Sequence, residues 1–151
     1  MDPRLTASEF MEALALYREA RGESKAAKAA MLAVIRNRAA QSPKFGWPRT
    51  TTGVITQKYQ FSSFNPNDPN STLWPDVNSP GQWQAWLDCC DVVQTPMLAD
   101  PTNGANAYHA IPVEGYIYKD AHGEEKKLMP PNWATADAFV MQIGKNKFYK
   151  L

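Results

Sequence analysis

A chain of 151 residues with 44% hydrophobic and 21% charged side chains has the size of one domain and too much apolar character for intrinsic disorder to describe it. Its 16 basic and 15 acidic side chains leave a net charge of +1, which removes the electrostatic footprint of a nucleic-acid-binding protein. The sign shifts along the chain, from a net +5 over residues 1–60 to −6 over 61–115 and +2 over 116–151. Such a pattern fits a charged groove or ordinary surface patchiness.

The longest uncharged apolar run, Ala29 to Ile35, is far shorter than the ~18 residues of a membrane span, so none is expected. Met1-Asp2-Pro3-Arg4 lacks the basic-then-apolar order of a secretory signal peptide. With Met1 as the native start, the expectation is synthesis in a cytoplasm and action elsewhere only after release. Cys89 and Cys90 are sequence neighbours inside a helical pattern, and read as a core thiol and its neighbour. With only His109 and His122 beside them, no zinc-like spacing is present, and neither metal nor cofactor is expected.

In chain order, Thr6-Ala-Ser-Glu9 is a capping box and opens a helix over residues 7–21, with Phe10, Ala13, Leu14 and Tyr17 on one stripe and Gly22 as terminator. Ser24 caps a second helix, whose face is Ala27, Met31, Val34, Ile35 and Arg38, and Ser42-Pro43 stops it. The two form an αα-hairpin cornered at Gly22. Residues 43–80 are rich in Pro, Asn, Ser and Thr, with a short apolar run at Val54-Ile55 and scattered aromatics, and read as a functional surface.

A third helix is expected over residues 81–97 with Trp83, Trp86, Leu87, Cys90, Val93 and Met97 on its buried face. Its tryptophans read as core more readily than as sugar platforms. Asp100-Pro-Thr-Asn-Gly104 is a turn cluster. Residues 115–119 and 126–129 flank Asp120-Ala-His-Gly123 as a β-hairpin, and Phe139-Val-Met-Gln-Ile143 has strand character.

Chemistry concentrates in Tyr17-Arg-Glu-Ala-Arg-Gly-Glu23. Glu19 is expected to face the corner made with the second helix, and burial beside aromatic rings favours the protonated form of a carboxyl group. Such a group can donate a proton to a leaving oxygen. The competing reading makes Glu19 a solvated helix residue between Arg18 and Arg21. Glu23, Asp68 and Asp100 are the further carboxylates that could serve beside it. For Glu23 the alternative is a favourable charge at the start of the second helix, and for Asp100 a turn-forming role.

The ordered blocks Tyr-x-Glu-Ala-Arg-Gly-Glu, Val34-Ile-Arg-Asn-Arg38, Gln60-Phe-Ser-Ser63, Asp100-Pro-Thr-Asn-Gly-Ala105 and Gln142-Ile-Gly-Lys-Asn-Lys-Phe-Tyr149 resemble the SleB-type cell wall hydrolases, the spore-cortex-lytic enzymes and their phage and bacterial relatives. The resemblance implies an α+β, lysozyme-like, mostly helical single domain over residues 1–151 with a small β-hairpin or sheet. It implies a lytic transglycosylase acting on peptidoglycan glycan strands, with Glu19 as the catalytic acid. By the same likeness Phe61, Ser62 and Ser63 fall on the family's Phe-Ser block, and Asn106, Tyr108 and His109 on its aromatic-bearing segment. With Glu23, these are the candidate substrate-binding residues. Tyr108 and His109 could instead pack at a strand edge, and Trp133 could cap a groove or belong to the core.

The chain departs from the family at Arg18, where Gly is usual, and at Asn103, where Gly is usual but Asn also tolerates the left-handed region. Residues 115–127 read as an insertion. An endolysin of a phage, monomeric and released through a separately supplied pore, is the leading expectation. A hydrolytic muramidase with a second carboxylate and a non-catalytic glycan-binding derivative are the alternatives.

Overall fold

Thr6 opens the first helix as a capping box requires: its hydroxyl accepts from the Glu9 amide at 3.2 Å while the Glu9 carboxylate accepts from the Thr6 amide at 2.7 Å. The computed structural model describes residues 4–58, 60–96, 99–111, 115 and 117–151. Helix α1 spans Ala7–Ala20 and helix α2 Lys25–Ala40, the latter capped by the Ser24 hydroxyl on the Ala27 amide. The corner between them is closed by Lys28, a buried α2 lysine whose ammonium donates to the carbonyls of Arg21 and Glu23 at 3.3 and 2.7 Å. A cation on these free carbonyls satisfies the acceptors that a helix end leaves over.

Helix α1 is the central rod of the molecule. Every residue from Glu12 to Arg18 is buried, so its apolar surface is not the single stripe expected from Phe10, Leu14 and Tyr17. Phe10 itself is 38% exposed. A helix packed on all sides buries residues that a one-sided pattern assigns to solvent.

Two apolar clusters flank this rod. The larger joins Leu14, Tyr17, Met31, Val34, Trp86, Cys89, Val93 and Phe148, and the smaller joins Ala15, Ile35, Val54, Ile55 and Phe61. Val54 and Ile55 come from helix α3, Thr51–Thr56, which the Thr50 hydroxyl caps on the Gly53 amide. The rest of the 43–80 segment runs in short 3₁₀ turns at Lys44–Gly46, Ser62–Phe64 and Pro69–Thr72.

Helix α4 spans Pro80–Gln94 and stops short of the expected residue 97. Pro96 biases Thr95 away from helical geometry, and Thr95 is extended at ψ 122°. Met97 lies outside the described residues. Trp86 is a core residue, edge-on to both Phe10 and Tyr17. Burial pushes the Cys89 and Cys90 thiols up to about 12 and about 11, and both are free, the behaviour of core thiols.

The β structure is antiparallel, so the fold is α+β. Strand β1 is Ala107–Ala110, and the hairpin strands β2 and β3 are Ile117–Lys119 and Glu125–Lys127, with Lys119 opposite Glu125. Strand β4 is Phe139–Ile143, as expected, and β5 is Asn146–Tyr149. The sheet order is β1-β5-β4, so the last strand is the middle one. Among the described residues no helix is long and apolar enough to cross a membrane.

Candidate active site

Glu19 lies on the last turn of α1, where it turns to the Ser62–Phe64 turn rather than to the corner with α2. Its Oε1 accepts from the Ser63 hydroxyl at 2.6 Å and from the Ser63 amide at 3.3 Å. Ser63 is 1% exposed, whereas Glu19 is half-buried. Both bonds fall on one carboxyl oxygen, and Oε2 carries none among the described residues. Among the described residues the side chain is therefore held through one oxygen only.

Arg18 does not pair with its neighbour. It is buried at 6% exposure, and its Nε donates to the Leu73 carbonyl at 3.1 Å and its Nη1 to the Ser63 carbonyl at 3.2 Å. The guanidinium lies over the rings of Phe64 at 4.8 Å and Trp74 at 5.0 Å. A cation buried between ring faces and carbonyls is compensated by the ring quadrupoles and by hydrogen bonds. Arg18 thus clamps the irregular 63–74 segment onto α1.

That segment borders a cleft of about 700 Å³ lined by Thr56, Lys58, Phe64, Asn65, Pro66, Asn67 and Asp68. Asp68 caps the Pro69–Thr72 turn through Oδ1, which accepts from the Asn70 amide at 2.8 Å. Ser62 is exposed on the turn next to Ser63, while Phe61 is 4% exposed in the smaller core cluster. Arg38, also buried, lies over Phe61 and Trp47, donating to the Gln60 side chain and the Asn106 carbonyl.

Tyr108, on β1, is half-buried against both clusters and sits 5.7 Å from the Phe148 ring. Its phenol is pushed up by burial and, in second place, by the Glu19 carboxylate, with Arg38 opposing. The phenol therefore keeps its proton near neutral pH and remains a donor within the field of Glu19. His109, next on the strand, is 7% exposed, stacked on Tyr149 at 5.3 Å and edge-on to Trp133 at 6.0 Å. Trp133 is thus part of an aromatic cluster with His109 and Tyr149. His122 is exposed in the hairpin turn.

Asn106 is fully buried, and its amide nitrogen donates to Gln41 Oε1 and the Leu151 carbonyl while its Oδ1 accepts from the Leu151 amide. The side chain is spent on holding residue 151. Asp100 is spent as well. Its Oδ1 accepts from the Thr102 amide and hydroxyl, and its Oδ2 from the Gly104 amide and the Asn37 side chain, all within 2.8 Å. Burial raises its carboxyl, but these donors together outweigh burial and hold it below the ordinary value. Asn103 in the same turn sits at φ 51° and Gly104 at φ 88°, the left-handed geometry that Asn and Gly tolerate.

Glu23 precedes the Ser24 cap, and its Oε2 lies over Gly144, the turn glycine between β4 and β5 at φ 58°, 3.1 Å from where a Cβ would stand. The structure accordingly brings Glu19 and Ser63 together, packs Tyr108 against the cluster that holds Phe61, and sets Asn106, His109 and Asp100 into supporting contacts. Trp74 is a neighbour of this group that sequence reasoning did not single out, and Arg18 entered that reasoning only as a departure from the resemblance and not as a structural clamp. The missing glycine at position 18 was the available signal for Arg18. Among the described residues no group of three or more His, Cys, Asp or Glu is placed to hold a metal ion.

The family model described as Cell Wall Hydrolase matches residues 22–149. The match takes in Ser63, Tyr108 and the Asp100 turn, and begins just after Arg18 and Glu19. No curated protein and no solved structure matches the chain.

Proposed function

The chain belongs to the cell wall hydrolase family, whose substrate is peptidoglycan, and we propose that it cleaves the β-1,4 bond between MurNAc and GlcNAc with Glu19 as the reacting carboxyl group. The observation that carries this reading is the one-sided fixation of Glu19. Ser63 holds Oε1 with two donors, and the other oxygen is left to face a substrate.

The step proposed is that of a SleB-like lytic transglycosylase. The Glu19 proton goes to the glycosidic oxygen of the departing GlcNAc as the C1–O bond of MurNAc breaks. The C6 hydroxyl oxygen of the same MurNAc then bonds to C1, and its proton goes to the Glu19 carboxylate, closing the 1,6-anhydro ring and restoring the acid. One carboxyl group serves both half-steps. The Ser63 donors stabilise the carboxylate that stands between them. Ser62 and Tyr108 are the neighbouring candidates for contacts to the glycan, and Phe61, Asn106 and His109 support the site from the core side. Glu23, just past the end of α1, is a further candidate for contacts to the glycan.

A hydrolytic muramidase is the second reading, favoured by one observation: Asp68 lines the cleft beside Phe64. A second carboxylate at a suitable distance would activate water or attack C1. Analysis of released muropeptides separates the two. Ends of 1,6-anhydromuramic acid that resist borohydride reduction, with activity retained in Asp68→Asn, support the transglycosylase. Reducing muramic ends together with collapse of Asp68→Asn support the hydrolase. In either case the proposed setting is a phage-type endolysin that reaches the wall after release from the cytoplasm.

A further inference from the structure

Trp74 is 56% exposed, an unusual exposure for a residue that carries so much apolar area. Its ring nevertheless rests on a buried cation. The Arg18 guanidinium lies 5.0 Å from the centre of its ring, and the same guanidinium lies 4.8 Å from Phe64. Arg18 in turn donates to the Leu73 carbonyl, one residue before the indole, and to the Ser63 carbonyl. One face of the indole is therefore occupied by a buried cation, and the ring has open surface left over.

This mounting ties Trp74 to the reacting group. Arg18 precedes Glu19 on α1, Ser63 is held by both, and Phe64 lines the cleft. A ring already held on one face by a cation loses less freedom on binding than an unsupported one, which suits a contact with a ligand's flat face. The segment also carries no Lys or Arg between Phe61 and Gly115, and Arg18, the cation beneath it, is spent on the Leu73 and Ser63 carbonyls. An uncharged ligand with alternating apolar and hydroxyl faces, a pyranose ring, matches an aromatic plate whose mounting cation also lies over Phe64, a residue that lines the cleft.

We propose that the open face of Trp74 is a stacking platform for a saccharide ring of the glycan strand, with Arg18 as its positioning residue. This rests on the glycan reading above, and it concerns where the strand is held, not how the bond breaks.

The test measures binding of peptide-free glycan strands, released by an amidase, to the full chain carrying Glu19→Gln, by titration calorimetry. Adding Trp74→Ala should weaken binding about tenfold or more, and adding Trp74→Phe should keep it within about threefold, since a ring remains. Equal affinity with and without Trp74→Ala overturns the proposal. Tighter binding of the free stem peptides than of the strands overturns the saccharide class.

A second measurement does not depend on how Trp74→Ala folds. Acrylamide quenching of the five tryptophans should fall when strands are added to Glu19→Gln, and that fall should vanish when Trp74→Phe is added. Unchanged quenching on adding strands counts against the platform. Full lytic activity of Glu19→Gln would instead remove Glu19 from the mechanism, and the platform would then be tested by the KM for strands, which Trp74→Ala should raise about tenfold and Trp74→Phe should leave within about threefold.

Discussion

Arg18 and Glu19 hold the same residue, Ser63, by opposite chemical groups: the guanidinium donates to its carbonyl at 3.2 Å, and the carboxylate accepts from its hydroxyl at 2.6 Å. Consecutive helical residues project about 100° apart, so the pair can straddle one turn without neutralising each other. The 62–64 turn is thereby tied to the end of α1, and the Glu19 carboxyl group is oriented by a buried helix on one side and by that turn on the other.

Replacing Glu19 with Gln keeps the shape of the side chain and removes the proton that the proposed mechanism transfers. Lysis of purified sacculi, followed by turbidity, should fall about 10²–10⁴-fold or more, because general acid–base assistance alone is of that order. The thermal midpoint should stay close to wild type. Activity within a few-fold of wild type would exclude Glu19 from the chemistry.

Ser63→Ala removes the 2.6 Å donor and leaves only the longer amide bond on Oε1. The carboxyl group then samples other rotamers, and loss of orientation on this scale costs about 10–100-fold. On soluble strands the loss should fall on kcat with KM little changed. A rise in KM with kcat intact would mean that Ser63 contacts substrate and does not position Glu19.

Asn106→Ala tests whether that residue serves substrate or structure. Its amide makes three hydrogen bonds in a fully buried site, and leaving such partners unsatisfied costs about 1–3 kcal/mol. Chemical denaturation should show that loss, while kcat and KM of the folded fraction stay near wild type. Loss of strand binding without loss of stability would put Asn106 in the groove.

Asp100 sets a pH dependence with a definite sign. Its folded carboxyl lies below the ordinary value of 3.8 because Thr102, Asn37 and Gly104 donate to it, so the folded state favours the charged form. The stability it contributes is complete above the unfolded value and is lost as pH falls through the lower, folded one. Asp100→Asn should therefore be less stable at neutral pH and show a flatter stability curve below about pH 4. Parallel curves for the two proteins in that range would exclude this role.

The local signals in the chain were legible and the distant partnerships were not. The capping box at Thr6 and the Ser24 cap place two helix starts correctly, because a cap needs only residues three apart. Asn103 at φ 51° likewise follows from its own turn. The partner of Glu19 lies 44 residues away, and no spacing rule joins residues so far apart. Strands β1 and β5 are four residues each and pair across the gap from Ala107 to Tyr149, too short for alternation to show. The all-round burial of α1 escaped the one-sided pattern for the same reason, since it depends on which elements later surround it.

The strand order β1-β5-β4 has a consequence for the order of events during synthesis. Among the described residues β1 and β4 each pair only with β5, and Leu151 is what the Asn106 amide grips. The helices can collapse as they leave the ribosome, but both flanking strands keep open edges until residues 146–149 emerge between them. Domains fold as units and unpaired edges invite association with other chains. The nascent protein therefore passes through its most aggregation-exposed stage just before that strand is added. Truncation a few residues before 146 should remove solubility along with activity.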